Sequence, residues 1–107
     1  MIFQEYLKDV LRLRNREEAI EVMKQAYDKG FRYVVRDYES EHLSFFNYKP
    51  KKYRDLESWG YTDKDLVKSD CLPSTVILKN YDITEINWTN QKPTLIMDFI
   101  QENQKRH

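Results

Sequence analysis

The sequence predicts an α+β fold: an antiparallel sheet of about four strands, with two helices before it and one after. Three observations carry this reading. Apolar residues recur with a period of about 3.6 as far as Tyr27, a period of about 2 takes over after Gly30, and the helical period returns beyond Pro93. The 107 residues suit a single domain, 1–107, with 103–107 expected as a frayed tail. Hydrophobic residues at 40% and aromatics at 14% supply a core despite 34% charged residues, so disorder is a poor description.

Phe3, Leu7, Val10 and Leu11 mark one face of a first helix, Ile2 to about Leu13. Asn15 followed by Arg16-Glu17-Glu18 resembles a capping box and predicts a second helix, whose buried stripe is Ile20, Met23, Ala26 and Tyr27. Gly30 stands where a left-handed residue ends a helix. Phe31–Arg36 is β-branched and aromatic and reads as a strand. The polar connection Asp37–Glu41 leads to its hairpin partner, Leu43–Tyr48, and Pro50 ends the pairing. Between Lys51 and Asp70 the pattern suggests only a short strand around Trp59-Gly60-Tyr61 and a helical turn, Asp63–Lys68, capped by Thr62. Further strands are expected at Thr75–Leu78 and Ile83–Trp88, which puts Trp88 in the core beside Ile86. Pro93 is placed to open the last helix, with Leu95, Ile96, Phe99 and Ile100 on its buried face.

Charge and composition narrow the function classes. Eighteen basic residues balance eighteen acidic ones, so net charge argues for no particular partner. The distribution is uneven: Arg32–Arg54 holds six basic residues against three acidic, and Asp55–Glu102 nine acidic against four basic. Cys71 is the only cysteine, which permits no intrachain disulfide and suits a reducing cytoplasm. Met1 runs into a mixed-charge segment without the apolar stretch of a secretory signal, and no membrane span is expected.

Chemistry-bearing clusters are sparse. His42 and His107 are the two histidines, and neither has a partner that one sequence can place. Asp63, Asp65 and Asp70 lack the glycine and terminal glutamate of a calcium loop. Gly30 and Gly60 are too far apart for a phosphate-cradling loop. No catalytic set, metal site or cofactor is therefore expected. The unusual segment is basic and aromatic: Lys49, Lys51, Lys52, Tyr53 and Arg54, with Trp59 and Tyr61 beyond. Such residues can anchor a protein interface or hold phosphates and stack on bases. They can equally form a connection whose rings tuck under the sheet while its lysines face water.

Three runs carry a family resemblance: Gly30–Asp37 after a helix, Phe46-Asn47-Tyr48-Lys49-Pro50, and Ile86-Asn87-Trp88 spaced to Pro93 and Ile96. Together they resemble a widespread type of small uncharacterised protein from phages and prophages of Gram-positive bacteria, over about Glu17 to Ile96. The segment before Asn15 is extra, and Thr89–Lys92 stands where relatives usually carry acidic residues. The resemblance implies a phage setting and a non-enzymatic accessory protein in the bacterial cytoplasm. Such a protein would bind and inhibit a host protein or ribonucleoprotein, such as a CRISPR or other defence effector; direct nucleic-acid binding is the alternative.

Overall fold

The computed structural model describes residues 2–77 and 81–104, with side chains from residue 14 onward. The elements are α1 (Ile2–Asp28), β1 (Tyr33–Val35), β2 (Leu43–Phe46), β3 (Lys51–Tyr53), β4 (Ser58–Gly60), α2 (Asp63–Leu66), β5 (Thr75–Ile77), β6 (Thr94–Leu95) and α3 (Ile96–Gln104). Four strands form one antiparallel sheet in the order β5-β2-β1-β6, and β3 and β4 form a separate antiparallel pair. The α+β class and the four-stranded sheet agree with the sequence reading. Among the described residues no helix is long and apolar enough to cross a membrane.

The two expected N-terminal helices are one. α1 runs through Asn15 without a break, because Arg14–Glu18 contains neither Pro nor Gly and one interior Asn costs under about 1 kcal/mol. A break there would instead strand backbone donors and carbonyls and require a second nucleation. Arg16 ties the helix to the rest of the chain: its Nη2 donates to Glu85 at 2.6 Å and to Asn103 Oδ1 at 2.8 Å. Asn103, expected to begin a frayed tail, is buried and returns a hydrogen bond to Phe99 O.

α1 ends as its sequence predicts. The Phe31 N–H reaches Ala26 O and the Gly30 N–H reaches Tyr27 O, both at 3.0 Å, with Gly30 at φ 111°. These two bonds make a Schellman motif, which needs a left-handed residue at this point. A Cβ at Gly30 would also meet Leu72 Cδ1 at 3.2 Å.

Beyond the turn, Val34 pairs with Phe45 and Tyr33 with Phe46, the expected hairpin. Successive residues face opposite sides of a sheet, and here both sides are covered. Val34, Leu43 and Phe45 join Ala19, Met23 and Ala26 of α1 and Ile96, Phe99 and Ile100 of α3 in the main core. Val35 and Phe46 turn the other way and pack with Trp59 and Tyr61 in a second core. Coverage on both faces explains why β1 reads as continuously apolar.

The later elements depart further. Thr75–Ile77 forms the expected strand, at one edge of the sheet, with Leu78 outside the described residues. Ile83–Trp88 is not a strand. Asn87 Nδ2 donates to Thr84 O at 2.8 Å and Asn90 Oδ1 accepts the Asn87 N–H at 3.0 Å, so side-chain amides replace a ladder. Ile83 and Ile86 still reach the main core, but Trp88 is half-buried against the second one. Pro93 does not open α3. Thr94 and Leu95 first pair with Val34 and Tyr33, closing the free edge of β1, and the helix begins at Ile96.

Candidate functional site: a cleft beside the second hairpin

The basic and aromatic segment folds into the β3–β4 hairpin, with Pro50 preceding a new pairing rather than only ending an old one. Lys52 lies opposite Trp59, and Tyr53 opposite Ser58. The turn between them is held by Leu56 N–H to Tyr53 O and Glu57 N–H to Arg54 O, at 3.2 and 3.3 Å. Glu57 takes φ 54° there, an uncommon setting for a side-chain-bearing residue.

The seven sequence-predicted residues separate into three groups, buried, half-buried and exposed. Trp59 and Tyr61 are only 7% and 9% exposed and belong to the second core, so they support the hairpin and present no anchor to a partner. Tyr53 is half-buried, and its hydroxyl donates to Tyr61 O at 2.9 Å. Lys49, Lys51 and Arg54 are exposed. Lys52 is half-buried in a cage. Its Nζ sits 5.1 Å from the Trp59 ring centre and 4.5 Å from that of Trp88, and donates to Trp88 O at 2.5 Å and Asn90 O at 2.6 Å. Burial and the nearby Arg54 pull its pKa below the ordinary lysine value, whereas two carbonyls and two ring faces favour the charged form.

Further bonds pin the hairpin to the connection that follows β1. The Trp59 N–H donates to Asp37 Oδ1 at 2.8 Å, and the Tyr38 N–H to Glu57 O at 3.2 Å. The Tyr61 hydroxyl accepts the Asn47 N–H and lies 2.7 Å from Leu72 O, while burial pushes its pKa up. Nearby, Tyr48 donates to Asp70 at 2.5 Å, and that bond is the main cause of a pKa pushed up to about 12. Trp59 Nε1 is buried without a hydrogen-bond partner.

Between the hairpin and the loop after Ile86 lies an open cleft of about 430 Å³. Tyr38 and Trp88 supply its rings, 6.3 Å apart and edge to face, and Lys52, Arg54, Glu57 and Gln91 supply its polar wall. At the tip of the hairpin Leu56 is 69% exposed, and Tyr38 is 46% exposed. Of the predicted residues, only Lys52 and Arg54 line this cleft. Sequence reasoning missed Tyr38, Leu56 and Trp88. An aromatic inside a polar connection and a leucine inside a turn were the available signals for the first two, while Trp88 was assigned to a strand.

The other candidates hold structural positions. Asp65 is an acceptor for Lys68 at 2.9 Å, which with the Thr62 cap holds its pKa below the usual carboxylate value. His42 is half-buried just before β2, and His107 lies outside the described residues. Among the described residues no group of three His, Cys, Asp or Glu side chains is arranged to hold a metal ion. No protein-family model, curated protein or solved structure matches the chain.

Proposed function

We propose that this chain is a protein-binding module that acts by occupying a partner's surface rather than by chemistry, with the hairpin tip and its cleft as the docking face. One observation carries the reading. Leu56 and Tyr38 project large apolar groups into solvent from turns fixed to the body of the domain, beside a half-buried tryptophan and an exposed Arg54. Tyr, Trp and Arg are the residues that dominate binding energy at protein interfaces. A turn already closed by its own hydrogen bonds also loses less conformational freedom on docking than an open loop would. The phage-type resemblance supplies the partner class: a defence effector of a Gram-positive host, a CRISPR complex among them, met in the bacterial cytoplasm.

The reading is tested by expressing the chain in a bacterium whose CRISPR immunity is active against a plated phage. Plaque counts should rise, and Leu56→Asp or Tyr38→Ala should restore immunity while the variants remain folded. Unchanged plating with the wild-type chain overturns the proposed target. With the purified effector, Tyr38→Ala should weaken binding by roughly tenfold or more, and Lys51→Ala by less. Were the contact instead to bound RNA, Lys51→Ala would weaken it and reduce its salt dependence.

A further inference from the structure

The apolar residues of α1 change sides along its length. Successive helical residues step round the axis by about 100°, so an unbroken helix fixes where each position falls. The positions that α1 gives to the main core, Ala19, Ile20, Met23 and Ala26, share one side. In the first half of the helix that side carries Glu5, Lys8, Asp9 and Arg12. Phe3, Leu7, Val10 and Leu11 fall about half a turn away, with Tyr6 and Leu13 on their border. Further along the same line stand Arg14, Glu17 and Glu21, all exposed and lining an open groove of about 470 Å³. The apolar stripe of the first half therefore lies on the side of α1 that turns away from the domain. An apolar stripe of this width ordinarily faces a core. α3, the main neighbour of α1, packs on the other side.

We infer that this stripe is a self-association surface, on which α1 of a second copy packs antiparallel. Area and charge select that occupant. Six residues of these types on each copy, at roughly 100 Å² apiece, would remove about 1,200 Å² from water in the pair, the size at which specific interfaces begin. Antiparallel packing that sets Leu7 opposite Val10 also sets Phe3 opposite Arg14, so the positive N-terminal end of each α1 arrives beside Glu17 of the other. Parallel packing would instead oppose Glu17 to Glu17 and Glu21 to Glu21. A lipid surface fits less well: helices that lie on membranes carry an excess of Lys and Arg, whereas Glu5 and Asp9 balance Lys8 and Arg12, and Glu17 and Glu21 would face anionic headgroups. The surface shares no residue with the proposed docking face, so either can hold without the other.

Sedimentation equilibrium of the full chain at about 100 μM should give twice the 13.1 kDa of one copy. Leu7→Glu should raise the dissociation constant of the pair roughly tenfold or more, with the near-ultraviolet dichroism of the tryptophans intact as the sign of a folded chain. Lys8→Glu, on the other side of the helix, should leave the mass unchanged. Glu17→Lys, at an exposed position clear of the core, should weaken pairing several-fold by placing a cation at the partner's helix N-terminus. Orientation is read by oxidation in a Cys71→Ser background: Phe3→Cys chains should cross-link to Arg14→Cys chains in a mixture, and neither to itself. The proposal is overturned by a mass of one copy, by Leu7→Glu pairing as tightly as the wild type, or by each cysteine variant cross-linking to itself. Adsorption to phosphatidylglycerol vesicles by a chain that stays monomeric in their absence overturns it in favour of a lipid surface.

Discussion

The two hairpins of this chain are built from similar numbers of residues but are held by different forces. β1 and β2 have neighbouring strands on both outer edges and apolar side chains on both faces. β3 and β4 pair only with each other, and a two-stranded hairpin alone is marginally stable in water. Their place depends on one aromatic patch, a caged ammonium and a few hydrogen bonds to residues distant in sequence. Area removed from water holds the first hairpin, and directional contacts hold the second. The second should therefore loosen at lower cost, and loosen alone.

The largest effect is expected in the main core. Phe45→Ala removes one of the largest fully buried side chains and should cost about 3–5 kcal/mol in chemical denaturation. Phe99→Ala, at 5% exposure, should fall in the same range. A variant that lost the second hairpin while keeping the rest would reverse the comparison.

Tyr61→Phe should cost about 1–3 kcal/mol, because it leaves the N–H of half-buried Asn47 without its acceptor. The loss should appear first as faster hydrogen exchange at Asn47 and across β3–β4, with the main sheet still protected. Lys52→Met keeps much of the stem but removes the donor from Trp88 O and Asn90 O, at about 1–2 kcal/mol. Hydrogen exchange confined to the hairpin and the 88–91 loop would sharpen the distinction, and uniform exchange over the whole chain would dissolve it.

The sequence was informative wherever the deciding contacts were local. The Schellman end of α1, the Thr62 cap and the β1–β2 register each rest on residues a few positions apart or on simple alternation. Where distant residues decide, the pattern was silent or misleading. Lys52 meets Trp88 across 36 positions and Trp59 N meets Asp37 across 22, so neither the cage nor the cleft has a local signature. The Ile83–Trp88 run carries strand-forming residues, yet Asn87 and Asn90 capture the backbone groups a ladder would use. Trp59 and Tyr61 looked like interface residues because composition does not distinguish a ring that faces a partner from one that faces the sheet.

Smaller effects separate stability from recognition. Leu56→Asp alters a side chain 69% exposed and should move stability by no more than about 0.5 kcal/mol, while abolishing the proposed docking. The smallest change is a pH effect. Tyr48 has its pKa raised from 10.0 to about 12 by the bond to Asp70. Folding therefore favours the protonated phenol, so its contribution is complete below pH 10.0 and is lost as pH rises towards about 12. The stability difference between wild type and Tyr48→Phe should shrink across that window and nowhere near neutrality. A difference that stayed constant through it would show that the bond to Asp70 does not set the phenol's titration.

The Lys52 cage also gives the chain an optical signature. Its two tryptophans stand 6.4 Å apart with planes at 78°, close enough for their electronic transitions to couple. One belongs to β4 and the other to the loop after Ile86, so the coupled near-ultraviolet dichroism exists only while hairpin and loop remain joined. Detachment of the hairpin would erase that band and leave the far-ultraviolet helix signal of α1 in place. The unlabelled protein thus reports on its weaker region separately from its stronger one.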